Sequence, residues 1–502
     1  MAYGSVRGQL TRRAALLAGG AALGGYLTHR FGSKVPPVEG TRLIQPTGGE
    51  GTLNDASLLN ETPIFRHITV QQNPGQALIA RLRNEMAEAR AEGRPFNVGA
   101  ARHSMGGHAI PRNGHAITFN NAFVQTDEAN QTYRVHAGAR WQNVIGSLDP
   151  KGFGPKVMQS NNDFGVAATF CVNAHGWPVP HGPMGATVQS LRLMLADGEV
   201  VTASRTENAD LFNLTMGGYG LTGAIIDMVV EMAPNRRLVP TFEEMPSVEF
   251  APRFVAACEA GDVNMAYGRL NVDRKRFFED ALMITYREAD NQDALPPAAG
   301  SGFMSKAAAR VFRAQLMNEP AKNLRWWFEA SLGPRIGAGE VTRNSLINEP
   351  VVTLDDGDPT RTDILHEYFV APDRFPEFVT ACQEVIPASY QEMMNITLRY
   401  VRADTESVLS YAPVPRIACV MLFSQEMTMR AEADHKRMTE ELIQRTIDIG
   451  GSYYLPYRPH ATREQLVQAY PNAPDFVRRK LEIDPDRVFR SVFWDTYLEG
   501  LA

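Results

Sequence analysis

Between residues 66 and 235, short apolar runs alternate with one strongly periodic stretch. In that stretch Leu78, Ile79, Leu82, Met86 and Ala89 recur at three- and four-residue steps behind Pro74-Gly75, which predicts an amphipathic helix with one apolar face. Pro95–Val98 and Ala116–Phe119 read as strands flanking a glycine-rich turn. The alternation of R-V-H-A-G-A-R-W over Arg134–Trp141 predicts a further strand that runs into a helix over Gln142–Leu148. Asn161–Gly185 is rich in turn residues. Leu191–Ala196 and Glu199–Ala203, joined by Asp197-Gly198, predict a hairpin, and the β-branched run Ala224–Met232 predicts a buried strand stopped by Pro234. Further on, helical spacing marks Arg374–Val385 and Met427–Ile449, and Asn395–Ser410 opens as a strand. Trp326-Trp327, within an Arg-flanked amphipathic stretch, reads as a pair of core aromatics.

The turn after the second strand, V-G-A-A-R-H-S-M-G-G over Val98–Gly107, carries the clearest chemistry. A strand ending in small residues leaves backbone N–H groups without side-chain cover, as an anionic pyrophosphate requires. His103 stands in the middle of it. A second motif, Gly218-Tyr219-Gly220-Leu221-Thr222-Gly223, matches G-x-G-x-x-G. The dinucleotide fingerprint needs a helix to follow, whereas A-I-I-D-M-V-V follows here and reads as strand, so no nicotinamide Rossmann site is expected.

Length and composition narrow the class. A chain of 502 residues suggests two or three units, and 44% apolar with 21% charged residues is ordinary for a globular enzyme. The net charge of -6, without a concentrated basic face, argues against nucleic acid as a partner. Cys171, Cys258, Cys382 and Cys419 lie far apart, and no H-x-x-x-H pair sits on a helix, so neither a disulfide framework nor a metal site is expected. Thr11-Arg12-Arg13 precedes a 14-residue apolar run, Ala14–Leu27. The run is too short to span a bilayer comfortably and reads as a twin-arginine-type signal or anchor over residues 1–35. That reading implies the twin-arginine export machinery as a partner and a periplasmic location, with residues 36–61 as a linker.

The order of these pieces resembles the FAD-binding domain of the vanillyl-alcohol-oxidase type, also described as p-cresol-methylhydroxylase-type FAD binding. The pieces are the Pro74-led helix, G-x-x-R-H-S-x-G-G, V-H-A-G-A-R-W, N-A-H-G at Asn173–Gly176, L-A-D-G-E-V-V, and Asp210-Leu211-Phe212 leading to G-G-Y-G-L-T-G. The resemblance implies an α+β fold: a two-subdomain FAD-binding domain over 62–235, an α/β substrate (cap) domain with an antiparallel sheet over 236–445, and a segment, 446–502, returning to the FAD domain. It implies FAD as cofactor, with the diphosphate on the backbone of Gly99, Ala100, Ala101, Arg102, His103, Ser104, Gly106 and Gly107. Val166, Thr169, Asn173, His175, Gly176, Gly218, Gly223 and Ile225 would wall the ring systems. His103 falls where polyol and sugar-lactone oxidases of the family attach the flavin covalently.

The chain also departs from the family pattern. Ala167-Ala168 replaces the usual G-G. In the cap, Arg399 matches the arginine of E-x-R, but Thr397 stands where the glutamate would be, which weakens the case for a sugar-acid or simple polyol substrate. The lysine of H-W-G-K is missing, and Tyr457 and Arg458 occupy its neighbourhood. Arg399, Tyr457 and Arg458 are therefore the expected catalytic residues, Tyr457 acting as acid or base only if its pKa is lowered from about 10. The reaction implied is oxidation of a CH–OH group of a small alcohol, sugar, polyol or lactone by hydride transfer to flavin N5. Oxygen, a quinone or a cytochrome would accept the electrons. The alternatives are a flavin-dependent C=C reductase of the same fold and an exported binding protein without catalysis.

Overall fold

The computed structural model describes residues 44–300, 312–332, 334, 339–351 and 358–501. The expected export signal therefore lies outside the described residues. The periodic stretch forms the helix Gln76–Ala91, which buries the five residues that share its apolar spacing. The helix connects Arg66–Val70 to Phe96–Gly99, and both strands run parallel to His115–Phe119 at the centre of a three-stranded sheet. Parallel neighbours cannot be joined by a tight turn, so a crossover of this length is what the topology demands.

An antiparallel sheet follows, in the order Val200–Ser204, Val188–Met194, Ala224–Pro234, Thr132–His136 and Val124–Asp127, with Phe153–Pro155 paired to the end of the long strand. The hairpin forms with Val200 opposite Met194. Two local readings are corrected. The strand expected over Arg134–Trp141 stops at His136, where the chain turns: Ala139 N–H donates back to His136 O at 3.0 Å and Gly138 N–H to His136 Nδ1 at 2.8 Å. The turn-rich segment also contains a short helix, Val166–Cys171. Residues 44–61 are not a free tether: Thr52–Leu53 pairs with Thr62–Pro63, and Asp55 and Ser57 are buried. Gly218–Gly223 connects the helix Ala209–Thr215 to the strand Ala224–Pro234, which is the reverse of the dinucleotide arrangement.

Downstream the chain builds an eight-stranded antiparallel sheet. Its central strands come from two halves of strand–helix–strand–strand order. One is Arg237–Pro246, Ser247–Glu259, Val263–Leu270 and Asp280–Glu288; the other is Arg361–Val370, Phe375–Val385, Glu392–Val401 and Arg416–Glu426. The halves meet where Gly268 pairs with Leu398 and Arg269 with Thr397. A Cβ on Gly268 would fall 2.3 Å from the Phe250 ring, so only glycine lets the first helix rest on this seam. Phe250, Phe254, Phe375, Phe378, Met438 and Leu442 fill one core on the helix-covered side. Because successive strand residues point to opposite faces, Ile364, His366 and Tyr368 face the helices while Asp363, Leu365 and Glu367 face the N-terminal sheets. Trp326 and Trp327 are not core aromatics: Trp327 is 49% exposed, and the Trp326 indole donates to Glu244 at 2.9 Å.

Ser452–Tyr453 adds the last strand beside Arg361–Val370. The chain then crosses to the first sheet, where Val488 O accepts the Phe96 N–H at 2.7 Å and Phe489 meets the Phe96 ring edge-on. Asp484 fixes that return by accepting the Val488 and Phe489 N–H groups at 2.8 and 2.9 Å, with the fully buried Lys480 at 2.8 Å. Lys480→Met strands the Asp484 charge in the interior. It is expected to cost about 3–5 kcal/mol, seen as a lower midpoint in urea unfolding.

Candidate functional site

The turn after Phe96–Gly99 faces a cavity of about 940 Å³ between the two N-terminal sheets and the eight-stranded sheet. Arg102 sits at φ 51°, and the backbone N–H groups of Ala101, Arg102, His103 and Ser104 find no partner among the described residues. Successive bare N–H groups around a left-handed residue form an anion-binding nest. The Arg102 guanidinium bonds Ala109 O at 3.2 Å and Thr118 Oγ1 at 2.7 Å, and its Nη2 is buried without a partner. Burial and the nearby Arg140 push it down to about 10. A cation held against its own solvation beside bare N–H groups fits a diphosphate, and the apolar walls of Phe119, Phe164, Val172, Val420 and Leu422 fit a flat ring system.

His103 lines the same cavity, edge-on to Phe164 at 4.3 Å. Burial lowers its pKa against the pull of Asp163, with Arg140 adding to the lowering, so the imidazole is neutral at pH 7. Cys171 lies on the wall as well, its thiol pushed up to about 12 by burial.

The eight-stranded sheet contributes a row of side chains fixed by strand register. Arg269 stands opposite Thr397, Thr397 opposite Val420, and Val420 opposite Glu367, and all four line the cavity. The Arg269 Nη1 donates to Thr397 Oγ1 at 2.8 Å. One register step along, Asn395 and Leu422 line the wall, and Arg399 lies on the other side of Thr397.

Glu367, 2% exposed, is the centre of the polar end. His175 Nε2 bonds its Oε1, and the Tyr457 hydroxyl donates to its Oε2 at 3.3 Å. Arg399 donates from Nη1 to His175 O at 3.0 Å, while its Nε is buried without a partner. Burial lowers the His175 pKa against the attraction of Glu367, so its Nε2 carries a proton to share and its Nδ1 is a bare acceptor. Tyr457 moves the opposite way: burial and then Glu367 raise its pKa well above the phenol range, with Arg399 opposing. The lowered phenol pKa that a tyrosine base requires is absent, so the acceptor at this end is Glu367.

Of the residues expected from sequence, Gly99, Ala100, Ala101, Arg102, His103, Ser104, Thr169, His175, Gly223, Ile225, Arg399 and Tyr457 meet at the cavity. The others do not reach it. Gly106 and Gly107 lie behind the turn, against His108 and Val492. Val166 is core. Asn173 ties the two domains together, donating to Asp404 and Ser407 and accepting from Gly185 N–H. Gly176 and Gly218 are close approaches to the backbone oxygens of Met158 and Leu214. Arg458 is 8% exposed and consumed by Glu432, Asn60 Oδ1 and Met105 O, so it braces rather than faces the cavity. Sequence reading missed Glu367 and Arg269. Their signal was a charged residue on the period-two face of a strand, next to the apolar run Y-F-V in R-T-D-I-L-H-E-Y-F-V and within V-N-M-A-Y-G-R-L.

Residues 79–204 match the model of a family described as a FAD binding domain. The chain is 26% identical to a putative D-arabinono-1,4-lactone oxidase of Neurospora crassa over 23% of its length and 20% of that protein. It is 26% identical to L-gulonolactone oxidase of Mus musculus over 32% of its length and 37% of that protein. With decaprenylphosphoryl-beta-D-ribose oxidase of Mycolicibacterium smegmatis it shares 23% identity over 74% of this chain and 82% of the relative. The match thus spans well under two thirds of both lactone oxidases.

The nest is clamped from behind. Asp55 accepts the Gly107 N–H at 2.8 Å, Asn60 and Arg458 donate to Met105 O at 2.8 and 3.2 Å, and Pro456 O accepts the Met105 N–H at 2.7 Å. Burial favours protonation of Glu432, but His460 and Arg458 outweigh it and hold the carboxyl well below its ordinary 4.5. Its contribution is therefore complete above pH 4.5 and is lost as pH falls through the depressed native value. Glu432→Gln is expected to lower stability at pH 7 and to flatten the acid limb of the melting-temperature profile relative to the parent; parallel profiles would contradict the assignment.

Proposed function

Through residues 79–204 the chain belongs to the p-cresol-methylhydroxylase-type FAD-binding family, and from that premise we propose that it oxidises a CH–OH group of a small alcohol, sugar, polyol or lactone. The observation that carries this reading is Glu367: a buried carboxylate in the same cavity as the anion nest, to which no Lys or Arg pairs among the described residues. Such a group is placed to take a hydroxyl proton. FAD, when bound, supplies the hydride acceptor. The nest and Arg102 would hold its diphosphate, and Thr169 and Ile225 lie on the wall its rings would meet.

The chain's own residues divide the remaining work. Glu367 receives the hydroxyl proton, while His175 Nε2 and the Tyr457 hydroxyl keep the carboxylate oriented. The free Nε of Arg399 offers its proton to the substrate oxygen as negative charge builds there. Arg269 and Thr397 set the far end of the row, where a neutral hydroxyl and a cation, rather than a carboxylate, meet the substrate. The similarity to two lactone oxidases and to decaprenylphosphoryl-beta-D-ribose oxidase supports a sugar-like carbinol. Covalent attachment of the flavin through His103 is part of the proposal, because a neutral imidazole has the lone pair that bond formation uses. So is twin-arginine export to the periplasm, resting on Thr11–Leu27, with oxygen or a respiratory quinone or cytochrome as acceptor.

Glu367→Gln is expected to lower kcat by about 10²–10⁴-fold with flavin content unchanged, measured by anaerobic flavin reduction. Unchanged reduction would remove Glu367 from the mechanism. Acid precipitation of the parent protein is expected to leave yellow colour in the pellet, and His103→Ala is expected to release it to the supernatant. Acid-stable colour in the variant would place the linkage elsewhere.

A further inference from the structure

Away from the flavin cavity, the seam between the two domains holds a smaller pocket of about 190 Å³ that shares no lining residue with it. Its floor is Arg343, 2% exposed. The guanidinium donates from Nη2 to Lys156 O at 2.6 Å, its Nη1 is buried without a partner, and no carboxylate pairs with it among the described residues. Burial alone pushes it down to about 10. A buried cation with no counter-charge is costly to maintain unless something else supplies the anion.

The rim is mixed in sign, since Glu288 lines it beside Lys156 and Arg236, so the uncompensated charge of the pocket is that of Arg343. Lys156 and Arg236 line the pocket, partly occupied by Glu231 at 2.6 Å and Glu288 at 3.3 Å, all of them partly exposed to solvent. The His181 ring reports the local field: burial, then Lys156, Arg343 and Arg402, push it down to about 4, with Glu231 alone opposing. A neutral His181 keeps one N–H to donate at pH 7. The volume suits a tetrahedral oxyanion with a few waters and is too small for a nucleotide.

We propose that this seam pocket binds a phosphate-sized oxyanion, with Arg343 as its buried counter-charge and Lys156, Arg236 and His181 at its rim. Its occupant also braces the larger cavity. Arg343 begins the segment that reaches Leu346 and Glu349 on the flavin wall, and Pro178 follows Trp177 on the same wall.

The probe is inorganic phosphate, titrated into the flavin-loaded full chain at ionic strength held constant with chloride, and read by thermal melting and calorimetry. The parent is expected to melt higher in proportion to the logarithm of phosphate concentration, as a ligand selective for the native state requires. Arg343→Met removes an unpaired buried charge, so it is expected to melt no lower than the parent in chloride and to bind phosphate at least about tenfold more weakly. Arg236→Gln, on the solvent side of the pocket, keeps the question answerable if the first variant folds poorly, and is expected to weaken binding by a smaller factor. No phosphate-specific shift in the parent, an equal shift in both variants, or a shift with malonate in place of phosphate would overturn the proposal.

Discussion

A backbone turn that offers its N–H groups to a ligand cannot use them to hold itself together. The segment Ala101–Ser104 makes no internal backbone donations among the described residues, so its shape has to be imposed from outside. Asp55 and Asn60, Pro456, and Arg458 fastened by Glu432 provide that constraint from three distant parts of the chain. Each contact lands on Met105 or Gly107, immediately past the bare stretch. The turn is thus organised before any cofactor arrives, and binding need not bear the entropy of ordering it. The same logic explains why residues 44–61 fold back onto the domain rather than hang from it.

Charge is placed with similar economy. Lys480 and Asp484 neutralise each other and lock the returning segment, and Glu432 neutralises Arg458 behind the nest. By contrast, Arg102 Nη2, Arg399 Nε and Arg343 Nη1 are buried without acceptors. The two ion pairs sit where the fold must be held, and Arg102, Arg399 and Arg343 each line a cavity. Unmet guanidinium donors on cavity-lining residues are physical pointers to ligands in this molecule.

The FAD-binding half was legible in the sequence because its signals are local. Apolar spacing gave Gln76–Ala91, Asp197-Gly198 gave the hairpin, and the β-branched run gave Ala224–Pro234. Small residues around His103 marked the nest without any knowledge of what clamps it. The cap was harder to read. Glu367 gains its meaning from Thr397 and Arg269 across the sheet, partners separated by thirty to about a hundred residues, and only strand register brings them together. Arg458 was misread for the converse reason: proximity in sequence to Tyr457 says nothing about which side of the chain its guanidinium takes. Its partners Asn60 and Glu432 lie in segments that carried no recognisable motif. Asn173 was likewise assigned to the cofactor on its motif, whereas its amide is spent joining two domains.

The seam at Gly268 has a consequence for how this scaffold can change. The residues that greet a substrate stand on alternate positions of strands whose opposite faces are packed against helices. Lengthening or shortening any of those strands by one amino acid would exchange wall for packing and expose Phe or Met to the guest. Chemical novelty in this protein is therefore reachable by swapping individual side chains such as Thr397 or Asn395, each an isolated choice in a frame that stays put. That leaves a lineage free to alter what the cavity accepts while its architecture remains intact.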